Sequence, residues 1–166
     1  VGFDTARERF PGAFVVVAVG KSGLRRTLAD RVAAAGFEDL TLVHPGIGVD
    51  PTVRIGRGVV VCAGSVLTVD LSIADGVQIN IGCTISHDVS IGAFATLAPG
   101  VHLSGAVSVG EEAQIGTGAV VRNGTLARPL RIGRGAVVGA GACVVDDVPE
   151  GETVVGVPAR PIARRA

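Results

Sequence analysis

His87 and Asp88 stand side by side in Ile85-Ser-His-Asp-Val-Ser90. An imidazole, with an ordinary pKa near ~6.5, is the usual general base at neutral pH, and a neighbouring carboxylate holds one tautomer of the ring. Such a base removes the proton from an amine or hydroxyl as that group attacks an electrophilic carbonyl. Charge then develops on the carbonyl oxygen and needs an unobstructed donor. Gly105, in Ser104-Gly-Ala106, lies eighteen residues after His87 and offers a backbone N–H with no side chain in the way. Base and donor together suit acyl transfer, provided that eighteen residues along the chain make a short step in space. Nothing beside His87 resembles an activated nucleophile, so the acyl group would pass directly to its acceptor.

The remaining candidates for chemistry are few. His44 precedes Pro45 and reads as a turn residue, and His102 reads as a solvated surface residue. The histidines are 43 and 15 residues apart, which argues against the three-His zinc site of a carbonic-anhydrase-like protein, and no metal is expected. Cys62, Cys83 and Cys143 are odd in number and lack CxxC spacing, which fits reduced thiols and a cytoplasmic location rather than a disulfide framework. Gly20-Lys-Ser22 has Val15 where a phosphate-binding loop needs its first Gly, so a capped turn is preferred there.

A repeat supplies the eighteen-residue step. From Val43 to Val121 every sixth residue is Val, Ile or Leu, fourteen in succession. The period resumes at Ile132, Val138 and Val144 after five extra residues around Leu126-Ala-Arg-Pro-Leu130, which read as a loop extruded from one corner. The fifth residue of most hexads is small or β-branched, as at Val59, Val77, Ala95 and Ala113. It points the same way as the next first-position residue, so the two fill one narrow core. Gly recurs at the fourth position, where a tight corner needs left-handed backbone. Six residues make one flat side, three sides make a coil, and coils stack roughly 4.8 Å apart. Position 105 therefore lies directly above position 87.

Residues 1–42 differ in kind. Phe14–Val19 reads as a buried strand. Ser22 reads as the cap of a helix whose inner face is Leu24, Leu28, Val32 and Ala35, and Leu40–Val43 as a second strand. The fold expected is mainly β: a parallel β-helix over 43–166, ending in a C-terminal tail and preceded by a small partial α/β, Rossmann-like, acceptor-binding segment over 1–42.

Fifteen basic residues balance fifteen acidic ones, which leaves no electrostatic footprint for nucleic acid or an anionic membrane. Mean hydropathy is +0.53, yet no apolar run approaches the ~18 residues needed to span a bilayer. The sequence begins at Val1 with no initiator Met and no signal-like leader, the expectation for a trimmed or partial chain.

Thr117 lies five sides beyond His87, hence on another edge, and Ala140, corrected for the insertion, lies one coil above Thr117. One molecule cannot bring both edges to one cleft, whereas a closed homotrimer can.

Leu42-Val-His-Pro45, Ile85-Ser-His-Asp-Val-Ser-Ile-Gly92, Ile115-Gly-Thr-Gly-Ala119, Val138-Gly-Ala-Gly-Ala142 and Val155-Gly-Val-Pro-Ala-Arg160 are specific. In them the chain resembles the sialic acid O-acetyltransferase and nucleotide-amino-sugar N-acetyltransferase branch of the hexapeptide-repeat acyltransferases. The resemblance implies a left-handed β-helix and acetyl-CoA as acyl donor, bound between the subunits of a trimer. It further implies N- or O-acetylation of a nucleotide-linked amino sugar or sialic-acid-type sugar in surface glycan biosynthesis. Carried over residue by residue, it makes His87 the base, Asp88 its partner and Gly105 the amide donor. Thr117 and Ala140 become CoA contacts and Asn80 a holder of the acceptor. Thr96 stands where some members carry a second His against acetyl-CoA, so it would line the site without titrating. Val1-Gly-Phe-Asp4 matches the strand that follows the family's glycine-rich sugar-nucleotide loop. The competing reading is a non-catalytic β-helix scaffold, which would show ladders of exposed Thr or Asn; the sequence has none.

Overall fold

The computed structural model describes residues 2–162, and from Leu42 onward the hexads build a three-sided parallel β-helix of left-handed sense. Its first face stacks Arg54–Ile55, Ser72–Ile73, Ser90–Ile91, Val107–Val109 and Leu130–Ile132. The second runs from Leu42–Val43 through Thr96–Leu97 and Gln114–Ile115 to Thr153–Val155, where Arg160–Pro161 closes it antiparallel. The third stacks Val66–Leu67, Thr84–Ile85, His102–Leu103, Val120–Val121 and Cys143–Val144.

Register follows the eighteen-residue coil: Ser90 pairs with Ser72 below and Ser108 above. Across the insertion the step lengthens, Val120 pairing with Cys143, and the stack continues undisturbed. Ile79, Ile85, Ile91, Leu97 and Leu103 fill the axis with the fifth-position residues Val77, Val89, Ala95 and Val101. Val49, in the first and uncovered coil, is 43% exposed because no side packs beneath it. The fourth-position corners are left-handed whether or not they carry Gly: Gly76 and Gly100 share that backbone with Asp70, Asp88, Phe94, Ala106 and Glu112.

The amino-terminal segment departs from expectation at its start. Phe3–Arg9 is an α-helix, α1, where the resemblance implied a strand. After it, β1 (Phe14–Val15), α2 (Ser22–Ala34) and β2 (Glu38–Asp39) form one β-α-β unit whose two strands pair in parallel. Strands of two residues are too little to establish a Rossmann-like sheet. Ser22 is the first residue of α2 and caps nothing; Lys21 occupies the cap position. The helix buries Ser22, Arg25 and Val32 and leaves Leu24 48% exposed, so the inner face is not the leucine stripe that its periodicity suggested.

Arg25 explains the difference. Its guanidinium donates to the carbonyls of Val19 (2.7 Å), Gly76 (2.9 Å) and Phe94 (2.6 Å) and to Thr96 Oγ1 (2.9 Å). Burial pushes it down to about 10, against the pull of Glu112, so it stays charged at neutral pH and bolts α2 onto the second face. Next to it, Arg26 pairs with Glu111 and Glu112 and lies 4.5 Å from the Phe94 ring centroid.

A cavity of about 220 Å³ remains in this seam, lined in part by Asp39, Arg57, Asp75 and Phe94. Asp39 Oδ1 has no hydrogen-bond partner among the described residues, and burial pushes the carboxyl up, Arg57 opposing and Asp75 adding. A folded-state value above the unfolded one means that stability is greatest at low pH and is lost as pH rises through the folded value. Asp39→Asn is therefore expected to raise the melting midpoint at pH 7, with the gain closing below about pH 4, where the parent carboxyl is protonated. Thermal melts at the two pH values check this; an equal shift at both would disprove the assignment.

Candidate active site

His87 follows the third-face strand Thr84–Ile85 at the corner leading to the first face. Neighbours on a strand point to opposite sides. Here the left-handed backbone of Asp88, at φ 58°, turns the chain so that both side chains reach the same edge. His87 Nδ1 and Asp88 Oδ2 are 2.8 Å apart, with the imidazole 60% exposed and the carboxylate 32%. Donation from Nδ1–H to the carboxylate leaves Nε2 as the acceptor nitrogen.

Gly105 sits one coil above, as the eighteen-residue step requires. The Ala106 N–H donates to the His87 carbonyl at 3.0 Å. A Cβ on residue 105 would lie 2.6 Å from Cε1 and 2.7 Å from Nε2 of the His87 ring, so the imidazole occupies the space that a side chain would need. Among the described residues the Gly105 N–H donates to nothing, while its carbonyl accepts from the Gly124 N–H at 3.0 Å.

Beside this edge the third face carries a cleft of about 200 Å³, lined by Thr68, Thr84, Ser86, His102 and Ser104 among others. His102 is exposed, as the sequence suggested, and its Nδ1 also lies 2.7 Å from Thr84 Oγ1. His44 Nδ1 accepts the Gly46 N–H at 3.1 Å, the turn role expected of it.

Thr117 and Ala140 lie on the edge between the second and third faces, both exposed, tied through the Gly141 N–H that donates to Thr117 O at 2.8 Å. Asn80 follows the second-face strand Gln78–Ile79 onto this same edge, its Nδ2 donating to Leu97 O at 2.7 Å. One chain thus brings His87, Asp88 and Gly105 together on one edge, and Asn80, Thr117 and Ala140 together on another. Thr96 belongs to neither. It is on the second face, opposite the His87 edge, and its hydroxyl accepts from Arg25 and lies 3.3 Å from Gly20 O and 3.3 Å from Ser22 Oγ. Its place in this chain is the seam under α2.

The outward rows of the faces differ. On the first face the row reads Arg54, Ser72, Ser90, Ser108 and Arg131; on the third it reads Val66, Thr84, His102, Val120 and Cys143. Val66 is 51% exposed and Val120 41%. Cys83 is buried, its Sγ 3.2 Å from Ala98 O, and burial pushes its thiol up, so it packs rather than reacts. Among the described residues no group of His, Cys, Asp and Glu could hold a metal ion, and no helix is long and apolar enough to cross a membrane.

No protein-family model matches the chain. It is 36% identical over 148 residues to the GDP-perosamine N-acetyltransferase of Escherichia coli O157:H7, covering 89% of this chain and 67% of that protein. PerB from Caulobacter crescentus, solved in complex with CoA and GDP-perosamine, superposes with a TM-score of 0.90 at 37% identity, covering 97% of this chain and 75% of that one. The acetyltransferase domain of PglB from Neisseria gonorrhoeae FA1090, in complex with acetyl coenzyme A, gives 0.82 at 42% identity over 89% and 69% of the two chains.

Proposed function

The chain belongs to the hexapeptide-repeat sugar N-acetyltransferases, and on that premise we propose that it transfers the acetyl group of acetyl-CoA to the amine of a nucleotide-linked amino sugar, with His87 as general base. The observation that carries this reading is the His87–Asp88 pair, 2.8 Å apart, packed on a residue that has no side chain. The donor thioester supplies an acyl carbon open to attack. His87 Nε2 takes the proton that the sugar amine loses as its nitrogen bonds to that carbon. Asp88 holds Nδ1–H and stabilises the imidazolium so formed. The Gly105 N–H is free to meet the charge on the acyl oxygen. The C–S bond then breaks, and the departing sulfur recovers its proton from His87.

The donor fits the residues present. Gly105 offers a free N–H beside the His87 ring, and the edge above His87 is open. Asn80, Thr117 and Ala140 then act from a neighbouring subunit, which supports a homotrimer with the third face turned inward. Sedimentation should return a mass near three times the 16.6 kDa of one chain. An active monomer would overturn the two-edge arrangement.

The acceptor is identified by direct assay. Thiol release should be followed with acetyl-CoA against GDP-, UDP- and dTDP-linked 4-amino sugars. One nucleotide sugar should be preferred, the similarity to GDP-perosamine N-acetyltransferases favouring a GDP sugar. No release with any amino sugar nucleotide would reject the reading.

A further inference from the structure

The insertion that breaks the hexad period stands on the His87 edge. Gly124 N–H donates to Gly105 O at 3.0 Å and Leu130 N–H to Ala106 O at 3.1 Å, so both ends of the extruded segment are rooted on the dipeptide stacked over His87. Gly124 is fixed by space as well, since a Cβ there would lie 2.5 Å from Ala106 O. The tip is closed on itself. Thr125 N–H donates to Arg128 O (3.0 Å), and Arg128 N–H donates to Thr125 O (3.1 Å) and Thr125 Oγ1 (3.0 Å). This hydrogen-bonded turn carries Arg128 at its end.

Below the turn lies an open cleft of about 650 Å³, lined by Arg122, Asn123, Arg128, Pro129, Asp146 and Asp147 among others. Of its acids, Asp146 Oδ2 is 3.3 Å from Arg160 Nη1, and Asp147 Oδ1 accepts the Arg131 backbone N–H at 2.9 Å. Arg122 and Arg128 are both exposed, and neither meets a carboxylate within 4 Å among the described residues. Two uncommitted guanidiniums converge on one cleft, and guanidinium forks match phosphate.

We propose that Arg122 and Arg128 form a phosphate clamp for the nucleotide end of the acyl-CoA donor, built by the inserted loop. The proposal rests on the acetyl-CoA reading above and names the part of the donor that this edge recognises. Spacing selects the donor over the sugar nucleotide. The cleft spans the second and third coils above His87, about 10–14 Å along the stack. The donor's phosphates are separated from its reacting carbonyl by the whole pantetheine arm, which needs such an offset. In a nucleotide-linked amino sugar only the pyranose ring separates the amine from the diphosphate, so its phosphates would lie within little more than one coil of the base.

The test compares Arg122→Ala, Arg128→Ala and Arg128→Glu with the parent enzyme, using acetyl-CoA and acetyl-pantetheine as donors. Calorimetric titration with free CoA runs beside the kinetics. Each Arg→Ala change should raise KM for acetyl-CoA and Kd for CoA about tenfold, the worth of one charged hydrogen bond, and Arg128→Glu more. The deficit should shrink with added salt and vanish with acetyl-pantetheine, which has no nucleotide. Unchanged KM and Kd would overturn the clamp. So would an equal deficit with acetyl-pantetheine, which would make the loop a structural brace, or a deficit confined to KM for the sugar nucleotide. If the parent transfers acetyl to no amino sugar, the functional reading fails by itself, and the CoA titration still decides the clamp.

Discussion

Replacement of His87 by Ala is expected to lower turnover by about 10²- to 10⁴-fold, the usual contribution of a general base. Affinity for CoA should stay close to that of the parent, because the imidazole acts on the acceptor's proton and the contacts assigned to the donor lie elsewhere. The structure sharpens this expectation. The ring is 60% exposed and packs on a glycine, so its removal leaves no cavity and no buried group unpaired. A melting temperature matching the parent's should therefore accompany the loss. Asp88→Asn should cost less, since it removes the charge that orients Nδ1 and leaves the base in place. Steady-state thiol release, calorimetric CoA binding and a thermal melt on the same preparations separate the contributions. Parent-like turnover in the His87→Ala protein would mean that this corner does no chemistry.

The solenoid and the first half of the site were legible because both depend on period. Once residues 18 apart are known to stack, placing Gly105 over His87 needs no further information, and Ala106 N–H to His87 O is the bond that the stacking requires. The left-handed corner at position four was equally readable from its glycines. That it also governs Asp88, Phe94 and Glu112 follows from stacking, since a corner between two coils has little freedom to differ from its neighbours.

Residues outside the period were read less well. The α2 face was assigned by apolar spacing, yet Arg25 takes the inward position, because the surface it meets is a row of carbonyls and a threonine hydroxyl rather than a hydrophobic groove. No pattern in a single helix announces what it docks against. The same contact removes Thr96 from the His87 edge, an outcome that depends on which face the segment covers. The inserted loop was visible as a break in register. Its charge pairing was not, since whether Arg122 and Arg128 are free depends on Arg160 reaching Asp146.

Gly105→Ala should reproduce most of the His87→Ala defect while leaving both His87 and Asp88, and the Gly105 N–H itself, in the chain. The added methyl would overlap Cε1 at 2.6 Å and Nε2 at 2.7 Å, closer than real Cβ contacts come, and one partner must move. The movable partner is the imidazole, which is exposed and free to swing outward, whereas the residue 105 backbone is held from above by Gly124 and flanked by the Ala106–His87 bond. Gly105 does not adopt left-handed backbone, so Ala brings no backbone strain, and fold stability should change little. Turnover should fall by roughly 10²-fold or more, since a displacement of about 1 Å in a positioned base costs on that order. Two groups that act as one unit are not additive. The double variant His87→Ala, Gly105→Ala should therefore be no slower than His87→Ala alone. A Gly105→Ala enzyme with parent-like turnover would show that the ring does not work from its place over Gly105, and a double variant slowed by the product of the two single effects would assign the Gly105→Ala loss to its N–H instead of the ring.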